Sequence, residues 1–211
     1  MIKKIGDVVL IKLSDSDSNI YVVGNAVIDT GTGFNFVRLM SMMGIMKKDL
    51  NSFEWVINTH GHFDHVGGNG YFFNAKVAIH EQDAPILEKG DGKTSKADFF
   101  DGKLKARPVD RKLKEGDEIM GMKVIHTPGH TPGSICLLDE KRKILFSGDT
   151  VFAEGVGRTD LEGGNEDDLE KSLEKIATLK FDMIFPGHGE LVREKGNESL
   201  KKIIENLGDY V

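Results

Sequence analysis

The apolar positions of this chain fall first into short strand-like runs and later into alternating strand and helix periods. Residues 5–13 and 19–29 mix alternation with β-branched runs, and the Ser14-Asp-Ser-Asp-Ser18 cluster between them is turn chemistry, so the chain is expected to open as a hairpin or meander. Asp29-Thr-Gly-Thr-Gly33 breaks the pattern. Residues 34–48 then place Phe36, Val37, Met40, Met43 and Ile45 at helical spacing, with Lys47 and Lys48 where they complement the helix dipole. A buried strand is predicted over 53–59, a short strand over 76–80 and a helix over 81–89, while the lysine-rich stretch 90–112 fits neither period. Three strands follow at 119–126, 134–138 and 144–147, and helices at 166–179 and 197–207 flank a last strand at 183–185. Strands outnumber helices, yet helices recur between them, which implies an α/β fold of sheet layers covered by helices.

At 211 residues a single domain spanning 1–211 is expected. A formal net charge of -6, with 39% hydrophobic and 29% charged residues, suits a globular protein and argues against a nucleic-acid surface. Apolar positions in the first 19 residues are repeatedly interrupted by charge, so neither a secretory core nor a membrane span is predicted and a cytoplasmic location is expected. Cys136, the single cysteine, excludes an intrachain disulfide framework, and its place between Ile135 and Leu137 reads as core.

Candidate chemistry concentrates in Asn58-Thr-His-Gly-His-Phe-Asp-His-Val-Gly-Gly-Asn69, where His60, His62, Asp64 and His65 occupy six positions in a chain of only seven histidines. On an extended segment His60 and His62 point to one side, and Asp64 and His65 come round the following turn, so two adjacent metal positions are geometrically reasonable. The Gly67-Gly68 pair is expected to let the backbone bend tightly away. Three further candidates, His130, Asp149 and His188, each sit just past a predicted strand and beside glycine. A lone histidine beside glycine is more often a turn residue, so the weight rests on the combination: N/O donors sufficient for two metals. His80 and His126 end strands and read as structural or outer-sphere groups. The basic residues from Lys103 to Lys114 form either a solvated loop or a rim that draws in anions. Met40, Met42, Met43 and Met46 read as helix packing or a partner face, and Trp55 as core. Arg158 has either a substrate role or an ion pair with Asp160 or Glu162.

The order His60-x-His62-x-Asp64-His65, His130, Asp149, His188, set in TPGHTPGS, SGDT and PGHG, resembles the metallo-β-lactamase superfamily in its glyoxalase II-like (hydroxyacylglutathione hydrolase) branch. The likeness runs from Asp29-Thr-Gly31 to PGHG and matches a short form without the C-terminal helical domain, since 22 residues follow Gly189. It implies an αββα four-layer sandwich of two mixed β-sheets flanked by helices, with a dinuclear site where loops meet. It also implies His60, His62 and His130 on one ion, Asp64, His65 and His188 on the other, Asp149 bridging and Arg158 near a thiol substrate. Dizinc β-lactamases of the superfamily place a cysteine among the ligands and an arginine where this chain has His65, so antibiotic hydrolysis is not expected.

The resemblance and the chemistry converge on a metal-dependent hydrolase of small thioesters. Two divalent ions, Zn first with Fe or Mn also accommodated, would supply hydroxide at neutral pH and polarise the acyl carbonyl. Asp64 is the expected catalytic residue, orienting the nucleophile. A thiol of pKa about 8.5 leaves as thiolate, so the absence of a dedicated general acid among the motifs favours a thioester over an amide. The thiol carrier, glutathione or another, stays open. Alternatives are a mononuclear iron persulfide dioxygenase using His60, His130 and Asp149, a lactonase of the same superfamily, and a metal-binding module without catalysis.

Overall fold

The computed structural model describes residues 1–207. The chain divides into two compact units, Met1–Ile79 with Ala84–Lys112, and His80–Asp83 with Leu113 onward. The first is built on a seven-stranded mixed sheet in sequential order: β1 (Ile2–Ile5), β2 (Val8–Ile11), β3 (Ile20–Val23), β4 (Ala26–Ile28), β5 (Trp55–Ile57), β6 (Lys76–His80) and β7 (Arg111–Leu113). The run expected over 19–29 is in fact the β3–β4 hairpin, and the run expected over 5–13 holds the turn and second strand of the β1–β2 hairpin. Gly6 at φ +60° and Gly24 at φ +57° turn the chain within runs whose alternation continues across the turn, which hides the break from a period count.

Strands β4, β5 and β6 are parallel neighbours, so their C-terminal ends open on the same edge. Helix α1 (Phe36–Ile45) turns Leu39, Met42 and Met43 onto a core that includes Val22, Val27, Val56 and Val77. The methionine cluster is thus largely packing, with Met40 exposed, and Trp55 is half-buried with Lys76 over its ring. Helix α2 (Phe63–Val66) and helix α3 (Ala84–Lys89) contribute Phe63, Val66 and Leu87 to the same core.

The second unit carries β8 (Glu118–Ile119), β9 (Met122–His126), β10 (Ile135–Asp139), β11 (Ile144–Gly148), a small ribbon of β12 (Val151–Phe152) and β13 (Gly155–Val156), helix α4 (Glu166–Ala177), β14 (Met183–Pro186) and helix α5 (Gly196–Glu205). Its five-stranded sheet runs β14-β11-β10-β9-β8 and is mixed, because β11 and β14 are parallel. Asn165 caps α4 by accepting from Asp168 N at 2.9 Å, and three acidic residues fill the first turn, where the dipole favours them. The opposite stripe, Leu169, Leu173 and Ile176, packs on Ile125, Cys136 and Leu145. Burial pushes the Cys136 thiol up to about 11, as befits a core residue. Two mixed sheets flanked by helices is the α/β composition the sequence implies, and among the described residues no helix is long and apolar enough to cross a membrane.

His80 and His126 stack at 3.9 Å between ring centroids and 12° between planes. His126 Nε2 donates to Pro132 O at 2.8 Å, while His80 Nδ1 accepts from Gln82 N at 3.3 Å, which a neutral ring can do. Burial, and then the neighbouring His126, push the His80 pKa from 6.5 down to about 4. The unfolded chain therefore binds the extra proton between these values, and stability is full above pH 6.5 and falls as the pH drops toward 4. Chemical denaturation across this range should show a loss of about 1–2 kcal/mol, allowing for solvent screening of the ring, with a clearly shallower slope in His80→Gln.

Candidate metal centre

In the first unit, the parallel pairing of β4 and β5 brings Asp29 beside Thr59. Asp29 lies just past β4 at φ +55° and is buried; its carboxylate accepts from Thr59 N at 2.9 Å, from Thr59 Oγ1 at 2.8 Å and from His65 Nδ1 at 2.8 Å. An ionised carboxylate only accepts, so the His65 proton sits on Nδ1 and Nε2 keeps its lone pair, 3.7 Å from Asp64 Oδ2. The His60 ring centroid is 4.8 Å from that of His62 and 4.1 Å from that of His65, and all three rings are buried. His60 and His62 are on the non-helical segment leading into α2, whereas Asp64 and His65 are on α2 itself. One non-helical stretch followed by one helical turn thus gathers all four candidates.

The polar residues around this cluster hold its backbone. Thr30 N donates to His65 O at 2.8 Å, Thr30 Oγ1 to Asn69 Oδ1 at 2.8 Å, and Asn69 Nδ2 to Asn58 Oδ1 at 2.7 Å. Close approach, rather than a sharp bend, accounts for the two glycines after the cluster. A Cβ on Gly67 would lie 2.3 Å from Thr32 O and one on Gly68 2.2 Å from Thr30 O, while the Gly67 backbone is ordinary, at φ -59° and ψ -31°.

In the second unit, His130 lies in the loop after β9. Asp83 secures that loop, accepting from Thr131 Oγ1 and Gly133 N, both at 2.8 Å. His130 Nδ1 donates to Arg158 O at 2.7 Å, which again puts the ring's lone pair on Nε2, 3.6 Å from Asp149 Oδ2. His188 follows β14, the parallel neighbour of β11, and its Nε2 is 3.7 Å from the same Asp149 oxygen. Gly157 lets the chain return across this point, since a Cβ there would fall 1.8 Å from Asp149 O. One carboxylate oxygen therefore faces two imidazoles delivered by separate loops.

Both donor sets are chemically suited to a divalent ion. They consist of imidazole and carboxylate groups, with two imidazoles oriented by acceptors on the far ring nitrogen, the usual arrangement behind metal-binding histidines. The Arg158 side chain points elsewhere: its Nε and a terminal nitrogen donate to Asp160 Oδ1 and Oδ2, both at 2.7 Å, on the surface. The guanidinium holds the Asp160 carboxyl down to about 2. Sequence reasoning missed Asp29 and Asp83 as organising groups. Asp29 carried a signal, an acid at the end of an apolar strand where the pattern breaks; Asp83, inside a stretch read as helix, carried none.

Residues 13–188 match the description Metallo-beta-lactamase superfamily. Probable metallo-hydrolase MJ0888 of Methanocaldococcus jannaschii is 36% identical over 188 residues, covering 83% of this chain and 89% of that protein. Hydroxyacylglutathione hydrolase GloC of Haemophilus influenzae is 32% identical over 156 residues, 69% of this chain and 72% of the relative. Acyl-coenzyme A thioesterase MBLAC2 of Gallus gallus is 33% identical over 173 residues, 71% of this chain and 60% of the relative. Among solved structures, TTHA1623 in a di-iron-bound form superposes with a TM-score of 0.78 at 28% identity, covering 92% of this chain and 97% of that one. With most of its length matched by the family, this chain belongs to the metallo-beta-lactamase superfamily.

Proposed function

We propose that this protein is a dinuclear metal-dependent hydrolase of small thioesters, glyoxalase II-like in chemistry, acting as one functional domain over 1–211. The observation that carries the reading is Asp149 Oδ2, set 3.6 Å from His130 Nε2 and 3.7 Å from His188 Nε2, the placement a bridging carboxylate needs. In this proposal His60, His62 and His130 hold one ion, Asp64, His65 and His188 the other, and Asp149 joins them. The family match runs over residues 13–188, which hold all seven proposed ligands. Zinc is the proposed metal, and the di-iron form of TTHA1623 makes iron the alternative to test.

Bound divalent ions would supply a hydroxide nucleophile at neutral pH and a Lewis acid for the acyl carbonyl. Asp64, 14% exposed at its side chain, accepts a hydrogen bond from the attacking water and orients it. Asp29 holds the proton on His65 Nδ1, and the Arg158 carbonyl holds that on His130 Nδ1, so both rings keep one orientation through turnover. The leaving thiol departs as thiolate without a protein acid. Arg158 is proposed to meet an anionic group on the thiol carrier, because an exposed pair such as that with Asp160 exchanges at little cost. The names of two relatives, hydroxyacylglutathione hydrolase GloC and acyl-coenzyme A thioesterase MBLAC2, support a thioester and point to two carriers. A cytoplasmic small-molecule enzyme is the corresponding cellular reading.

Elemental analysis of protein purified without chelators should give close to two metal ions per chain, with turnover of S-lactoylglutathione or a short acyl-coenzyme A. About one iron, no thioester turnover and oxygen uptake with a persulfide would overturn the hydrolase in favour of a dioxygenase. Asp149→Ala is expected to lose tight binding of both ions, and His188→Ala to spare the first; equal losses would refute the bridge. Asp29→Asn should weaken metal affinity by about 10- to 100-fold, read by competition with a chromophoric chelator.

A further inference from the structure

The first unit holds a cavity of about 590 Å³, within the size range of small-molecule sites. None of the metal-ligand candidates lines it. Phe34, Phe63, Tyr71 and Phe73 supply aromatic walls, and Lys103, Lys105 and Arg107 supply charge; no acidic residue lines it, in a chain of net charge -6. Phe34 and Phe63 meet at 5.5 Å, and Gly102 backs them closely enough that a Cβ would fall 2.6 Å from the Phe63 ring. Phe34 is 57% and Phe73 79% exposed, so large aromatic surface stands in water around the opening.

The cations are placed for an anion. The Arg107 guanidinium is half-buried and donates to the carbonyls of Asn69, Phe72 and Ala75, so it contributes charge while its hydrogen bonds go to neutral groups. Lys103 and Lys105 flank buried Leu104 on a segment without regular secondary structure; both are exposed, and among the described residues neither has a carboxylate partner. The segment is pinned by Arg107 N donating to Leu87 O at 2.8 Å, and by Gly90, where a Cβ would lie 2.7 Å from Ala106 N.

We propose that this cavity is a binding site for an amphiphilic carboxylate, its apolar tail among the aromatic rings and its head at Lys103 and Lys105. The ligand class follows from the aromatic walls, the one-signed charge and the volume together, and holds whichever metal chemistry the protein performs. Gly70 offers a direct probe: it lines the cavity, an added Cβ meets nothing within 4 Å, and its φ is ordinary. Isothermal titration of the metal-loaded protein with decanoate should show saturable one-site binding. Binding at least about fivefold weaker is expected for 1-decanol, and for decanoate with the Lys103→Glu/Lys105→Glu variant. Gly70→Phe, checked for a native circular dichroism spectrum, should lose binding, and acetate, which a metal centre would take as readily, should not displace decanoate. The proposal is overturned by absent binding, by equal affinity for the alcohol, by displacement with acetate, or by wild-type affinity in the surface double variant.

Discussion

The buried carboxylate of Asp29 is the constraint on which the histidine cluster depends. A charge placed in the interior is tolerated only when its oxygens are well satisfied, and Asp29 takes three donors, two from Thr59 and one from His65. Those three bonds tie the residue before His60 to the ring of His65, so the spacing of the cluster is set by a group thirty residues upstream. Asp29 N in turn donates to Ile57 O at 3.0 Å, which couples this anchor to the parallel register of β4 and β5. The left-handed backbone of Asp29, φ +55°, is unfavourable for most residues and is tolerated here because the hydrogen bonds over-determine it.

The second unit solves the same problem with different parts. Parallel strands β11 and β14 present Asp149 and His188 at neighbouring ends, and Gly187 N donating to Gly148 O at 2.7 Å holds the two ends together. Asp83 and the Arg158 carbonyl do for the His130 loop and ring what Asp29 does for His65. In both units candidate ligands lie beyond the carboxyl ends of parallel strands, β5 in one and β11 and β14 in the other, while His130 follows the antiparallel β9. The glycines nearby are demanded by contact, since Gly67, Gly68 and Gly157 all face backbone oxygens at distances no Cβ could occupy.

The charge on this protein is unevenly placed. An overall excess of acid coexists with a cavity whose only charged lining residues are basic, all three of them on a segment that periodicity left unassigned. That segment has no regular secondary structure over residues 102–109, so it produces neither a helical nor a strand period; its role is visible only through what it packs against.

The sequence by itself determined the superfamily, the α/β class and the candidate donor residues, because histidines and aspartates crowded into a short motif and repeated beside glycines are local features of the chain. It also placed α4, β6, β10 and β11 closely, since their patterns have uninterrupted periods, whereas the strand expected over 119–126 is broken by a Met120-Gly121 turn into the β8–β9 hairpin. The hairpins of β1–β2 and β3–β4 were hidden because alternation persists through a two-residue turn. Tertiary structure alone decided that Asp29 reaches His65 across 36 positions, that Asp83 holds the loop of His130, and that Arg107 lends charge to a cavity while bonding to carbonyls. These are hydrogen bonds between residues far apart in the chain. No local pattern encodes them, because each depends on which strand ends the folded sheet sets side by side.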